Sequence, residues 1–258
     1  MRVEDDLRDE ARGAVGRGSR ASTSRRSPGG AQDARGRRRP ATEPAGAPDL
    51  SGDADLRTQL VRAVGAERAA RLEKRVKEAS RAFAAERYPE ARATIAAIAR
   101  EAPTVVAVRE LLGLTLYRMG RWKPAIEQLE AFRQMTGSTE QNPVLADCYR
   151  ALRRYDEVDA LWEELRDVSP DADLVMEGRI VAAGALADRG DLRGAINLLQ
   201  STGKASRRPQ ERHIRRAYAL GDLYERTGDV PRAREWFRFV QDHDPDFVDV
   251  GRRLRSLG

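Results

Sequence analysis

One spacing constrains this chain more than any other feature. A pair of small residues twelve positions apart recurs five times, at Ala79/Ala91, Gly113/Ala125, Ala146/Val158, Ala183/Ala195 and Gly221/Ala233. Nine of the ten positions are alanine or glycine, where composition alone would supply about two or three. Four residues after each second member stands a large apolar side chain: Ile95, Leu129, Trp162, Leu199 and Phe237. Twelve residues after it, three of the five copies carry proline (Pro103, Pro170, Pro245), and Gly137 and Arg207 stand in the other two. Two antiparallel helices approach closely only where their side chains are small, and a bulky residue then fills the gap between neighbouring hairpins. The spacing predicts five helical pairs stacked in a row.

The turns carry their own marks. Tyr88, Trp122, Tyr155, Leu192 and Val230 lie three residues before the second small position of each copy. Pro89, Pro124 and Pro231 fall where the second helix begins, a place at which a missing N–H costs nothing. Gly120 is expected to end the helix before it in a left-handed conformation. Asn142-Pro143 is expected to act as a cap followed by a proline at the first helical position. Asp53 or Ser51 is expected to cap the leading helix.

The clearest copy runs from Gly221 to Pro245, GDLYERTGDVPRAREWFRFVQDHDP. Its Gly221, Tyr224, Ala233, Phe237 and Pro245 fall at the positions of the tetratricopeptide repeat pattern W-x₂-L-G-x₂-Y…A-x₃-F…P, with Ala217 where the tryptophan would be. The chain thus resembles the tetratricopeptide repeat (TPR) family. The resemblance implies an all-α fold, a right-handed α-solenoid of antiparallel helix pairs. The expected division is a tail over 1–50, a leading helix over about 53–71, repeats over about 72–105, 106–138, 139–172, 173–209 and 210–245, and a capping helix over 246–258. The capping helix is expected because Phe247, Val250, Leu254 and Leu257 have helical spacing, and terminal repeats need a polar outer face.

Composition narrows the chemistry. One cysteine, Cys148, excludes an internal disulfide and a thiolate metal cluster, and with two distant histidines, His213 and His243, no zinc site is expected. Cys148 is expected to be a buried small hydrophobe. Neither GxSxG, HExxH nor CxxC occurs, and Thr202-Gly203-Lys204-Ala205 lacks the second glycine and the hydroxyl of a phosphate loop. Adjacent acids such as Glu163-Glu164 point to different sides of a helix. The expectation is a protein with no catalytic residues, cofactor or metal. No apolar leader opens the sequence and no run approaches a membrane span, so the expected location is cytoplasmic.

Residues 12–40 hold nine arginines against one aspartate, with almost no apolar residue beyond Val15. Such a segment is expected to be disordered, because it cannot bury enough surface to offset its ordering entropy. A second basic group comprises Lys204, Arg207, Arg208, Arg212, Arg215 and Arg216, opposed only by Glu211. These two features support an alternative reading, a nucleic-acid- or ribosome-associated protein. Residues 51–258 carry only about +3 of the net +6, which implies no broad nucleic-acid face.

The family resemblance favours a non-enzymatic adaptor or scaffold for protein–protein interaction, with first helices lining a concave groove that takes a peptide. By register the groove residues are Val76, Ser80 and Phe83; Glu110, Leu114 and Tyr117; Asp147 and Arg150; Ile180, Gly184 and Asp188; Tyr218, Asp222 and Glu225. Some relatives clamp a peptide carboxylate with paired Lys and Asn, but Val76, Ser80, Glu110 and Leu114 stand at those places here. Aromatic and apolar residues would anchor the partner while carboxylates select its Arg or Lys. The chain's own arginine-rich segment is one candidate occupant.

Overall fold

The computed structural model describes residues 53–201 and 209–258. The arginine-rich segment, Ser51, Thr202–Ala205 and the basic residues Lys204, Arg207 and Arg208 lie outside them. Of the described residues 81% are helical and none is in a strand.

Helix α1 (Asp53–Val64) leads into five hairpins: α2 (Ala66–Ala84) with α3 (Tyr88–Glu101), α4 (Val106–Arg118) with α5 (Trp122–Thr136), α6 (Asn142–Ala151) with α7 (Tyr155–Val168), α8 (Ala172–Asp188) with α9 (Leu192–Gln200), and α10 (Glu211–Thr227) with α11 (Val230–His243). A short α12 (Val250–Ser256) follows. The first break falls at Gly65, whose φ of 81° suits glycine, so α2 begins before the expected end of the leading helix. Tyr88, Trp122, Tyr155, Leu192 and Val230 are each the first residue of a second helix. Two residues before each of them the backbone turns left-handed, at Glu86 (φ 57°), Gly120 (69°), Arg153 (60°), Gly190 (95°) and Gly228 (80°). The five turns are therefore one turn repeated.

The small positions do what their size allows. All ten are buried, including Ala125, Ala195 and Ala233 at 0% exposure. A Cβ on Gly113 would lie 2.7 Å from Leu129 Cδ2, so the bulky residue of the second helix occupies the space that glycine leaves. Asn142 departs from its expected role. It is the first residue of α6 after Gln141, and its side-chain amide donates to Glu164 Oε2 at 3.1 Å instead of capping.

Hydrophobic contact continues from hairpin to hairpin through α8. Val181 and Ala185 face the core built by α1–α7, whereas Met176, Ile180, Ala183 and Ala187 face the core built with α9–α12. A helix covered on both sides must be apolar nearly all round. This accounts for the absence of aromatics in the fourth hairpin, where small and branched side chains fit between two stacks. The last helix starts later than its apolar spacing suggested. Phe247 lies in the turn before α12, while Val250 is buried and plugs the end of the second core.

Candidate interaction surface on the inner helices

The first helices of successive hairpins, α4, α6, α8 and α10, are tied together by polar side chains on one side. Tyr117 Oη on α4 donates to Asp147 Oδ2 on α6 at 2.9 Å. Arg150, one turn on, donates from Nη1 to Asp147 Oδ1 at 2.8 Å and from Nε to Asp188 Oδ2 of α8 at 2.9 Å. Gly184 makes this possible, because a Cβ there would lie 2.8 Å from Arg150 Cζ. Burial alone would weaken the Arg150 charge, but Asp147 and Asp188 reverse this and hold its pKa above the ordinary value.

The row continues. Arg226 of α10 donates from Nη2 to the Ala187 carbonyl at 3.0 Å and lies 4.0 Å from both Asp188 and Asp222. Arg253 of α12 reaches back to pair with Asp222, and its Nε lies 3.1 Å from Glu225 Oε2. That second contact is an ion pair without hydrogen-bond geometry, since both atoms are buried without a hydrogen-bond partner. The same guanidinium sits 5.1 Å from the Phe237 ring centre and 5.9 Å from that of Tyr218. Tyr218 donates to Asp249, and burial followed by that bond raises its phenol pKa.

The register-based groove is corrected in its apolar half. Val76, Phe83, Leu114, Tyr117 and Ile180 are core residues of at most 4% exposure. Packing within and between the hairpins buries them in the two hydrophobic cores, so they cannot anchor an incoming chain. Asp147 and Arg150 are also buried and bonded to each other. Ser80, Glu110, Gly184, Asp188, Tyr218, Asp222 and Glu225 remain partly exposed. Most of the carboxylates expected to select a partner's cation already hold one of the chain's own. Glu110 differs, being bonded by Gln141 Nε2 at 2.8 Å, and burial, opposed by that bond and reinforced by Glu140, pushes its carboxyl up to about 7.

The sequence reading missed Gln141, Arg226, Asp249 and Arg253. Arg226 directly follows the groove residue Glu225, and the polar face of the last helix was the one sign of Arg253. Of the second basic group, Arg212 pairs with Asp173 and Arg215 with Glu211 and Glu177, while Arg216 is buried at 5% exposure. Cys148 is fully buried, and burial, then Asp147, pushes its thiol well above the ordinary value. Among the described residues no group of three or more His, Cys, Asp or Glu could hold a metal ion, and no helix is long and apolar enough to cross a membrane.

A row of helical hairpins whose first helices share one polar face defines an α-solenoid of the helical-repeat class. The sequence profile of the tetratricopeptide repeat matches residues 76–138 and 180–246, together half of the chain, and the chain belongs to the tetratricopeptide repeat family. The stretch between the matches contains α6, the shortest of the first helices. The fold is similar to the crystal structure of a thermophilic TPR protein of Thermus thermophilus, with 18% identity and a TM-score of 0.58 over 72% of this chain and 98% of that one. Comparison with curated proteins returns no match. Tetratricopeptide repeats are generally protein–protein interaction modules, and proteins of the family are typically non-enzymatic scaffolds.

Proposed function

We propose that this chain is a non-enzymatic scaffold that holds a peptide segment of another protein across its first helices. The observation that carries the reading is the set of polar residues on the first helices: Ser80, Glu110, Asp188, Asp222 and Glu225, from four of the five hairpins, stay partly exposed. Such a face offers an extended chain a series of fixed hydrogen-bonding and charged groups, and orientation comes from these more than from apolar anchoring. The mixed charge of the row favours a partner that is polar and carries basic residues. A division into an N-terminal segment over 1–50 and a repeat region over 51–258 goes with this reading, the repeat region being the binding part.

Selection of random twelve-residue peptides displayed on phage against the full chain tests the proposal. Binding of the selected peptides is expected to fail with Ser80→Trp and Glu225→Trp and to persist with Arg238→Ala on the opposite helix. Peptides that ignore both tryptophans, or a selection that yields no binder, would overturn it.

A further inference from the structure

Among the described residues one carboxylate on the first helices has no cation beside it. Asp147 and Asp188 share Arg150, Asp222 faces Arg226 and Arg253, and Glu225 faces Arg253. Among the described residues no lysine, arginine or histidine pairs with Glu110, whose hydrogen bond comes from the neutral Gln141 amide. Gln141 is itself 5% exposed, and its other amide atom, Oε1, is buried with no donor. The pair joins α4 to the residue just before α6, about two helical turns ahead of the Tyr117–Asp147 bond at which the row of ion pairs begins.

With Glu110 ionised, the two facts point to a cationic donor. Turning the Gln141 amide would set its oxygen against the ionised carboxylate, so above about pH 7 Glu110 fixes the amide as it stands, with Nε2 towards the acid. What remains is the second carboxylate oxygen of Glu110 and the amide oxygen of Gln141, both acceptors on side chains already bonded to each other. Neither a hydroxyl nor another amide supplies charge to balance the acid, whereas a guanidinium has donors only, in a planar fork that reaches two acceptors together. The chain shows the same solution at Arg150, whose fork joins Asp147 on its own helix to Asp188 on the next. Burial raises Glu110 for want of such a partner, which agrees with an unfilled position.

We propose that Glu110 and Gln141 form the seat for one arginine side chain of the bound peptide. The assignment rests on the peptide-scaffold reading and names the partner's chemistry: an arginine placed opposite the second and third hairpins. Small rotation of the Gln141 side chain opens its oxygen to the incoming fork.

Ethylguanidinium chloride, titrated into the isotopically labelled full chain against sodium chloride at equal ionic strength, is the test. Saturable shifts of the Glu110 carboxyl and Gln141 amide signals are expected, together with a fall in the pH midpoint of Glu110. Glu110→Gln keeps the size of the side chain and is expected to abolish the Gln141 shift. An arginine-bearing peptide selected on the wild-type chain is expected to bind the variant about ten-fold more weakly. Shifts no larger than those from sodium chloride, or a Gln141 shift unchanged in the variant, overturn the assignment. Selected peptides that bind the first helices equally well with Glu110→Gln remove this seat and leave the scaffold reading intact. No selected peptide, with a saturable ethylguanidinium shift, removes the scaffold reading and keeps the seat.

Discussion

The edge of the Phe237 ring rests on the backbone of Gly221, where a Cβ would stand 2.7 Å from Cε1. The sixteen-residue offset between the two is thus a packing distance across one hairpin, repeated by Gly113 and Leu129. Phe237 has 0% exposure and also meets the Tyr218 ring edge-on at 5.5 Å. Phe237→Ala is expected to cost about 3–5 kcal/mol by leaving a cavity, and Gly221→Ala about 1–3 kcal/mol by overpacking. Urea unfolding followed by circular dichroism checks both, and a cost below about 0.5 kcal/mol for either contradicts the packing assigned here.

Glu86 and Arg153 occupy the left-handed turn position that Gly120, Gly190 and Gly228 fill in the other hairpins. A side chain there crowds the backbone, whereas glycine adopts the same angles freely. Neither Glu86 nor Arg153 is buried. Glu86→Gly and Arg153→Gly are each expected to raise stability by roughly 0.5–1 kcal/mol, the strain relieved exceeding the entropy lost. Thermal melts of the two variants give the answer directly. Lowered melting temperatures in both would show that the turns are not equivalent.

Arg150 sits between two carboxylates at 9% exposure or less. Arg150→Met leaves the nearly inaccessible Asp147 and Asp188 carboxylates without their shared cation, and a loss of about 3–5 kcal/mol is expected near neutral pH. Adding Asp147→Asn and Asp188→Asn should restore much of that loss, since no uncompensated charge then remains. Strict additivity of the three changes would mean that the side chains do not act as one network.

Stability is also expected to depend on pH through Glu110. Its carboxyl is about 7 in the folded chain against an ordinary 4.5, so the folded state binds the proton more tightly. The contribution from this group is therefore most favourable below about 4.5 and declines as pH rises to about 7, with the full penalty present above that. Glu177, raised by burial against the opposing pull of Arg215, has the same sign. Glu110→Gln should flatten the decline and stabilise the chain by roughly 1–2 kcal/mol at pH 8. Denaturation curves from pH 5 to 8 on wild type and variant measure it; parallel pH profiles would refute it.

Much of the fold was legible because close packing leaves a mark on residue size. A helix pair cannot come together at Gly221 unless that residue is small, and Phe237 cannot be sixteen residues away by chance in a register that recurs at Leu129. The turn residues were legible for a similar reason at Gly120, Gly190 and Gly228, but Glu86 and Arg153 adopt the same backbone without the residue that advertises it. The surface was less readable. Register alone places Val76, Phe83, Leu114 and Tyr117 on the inner side of their helices, and it does not say that the stacked hairpins bury them. Contacts such as Arg150 with Asp188, and Arg253 with Asp222, join residues 38 and 31 apart, a separation set by how hairpins stack and not by any local pattern. Gln141 gave no signal, since an amide before a helix reads as a loop residue until its partner Glu110 is seen beside it.

Amide hydrogen exchange on the full chain, with and without a selected peptide, tests most directly whether the shared face of the first helices is what this molecule offers to a partner. Added protection is expected along α2, α4, α6, α8 and α10, with α3, α5, α7, α9 and α11 unchanged. Protection confined to those second helices, or to residues 1–52, would contradict the account.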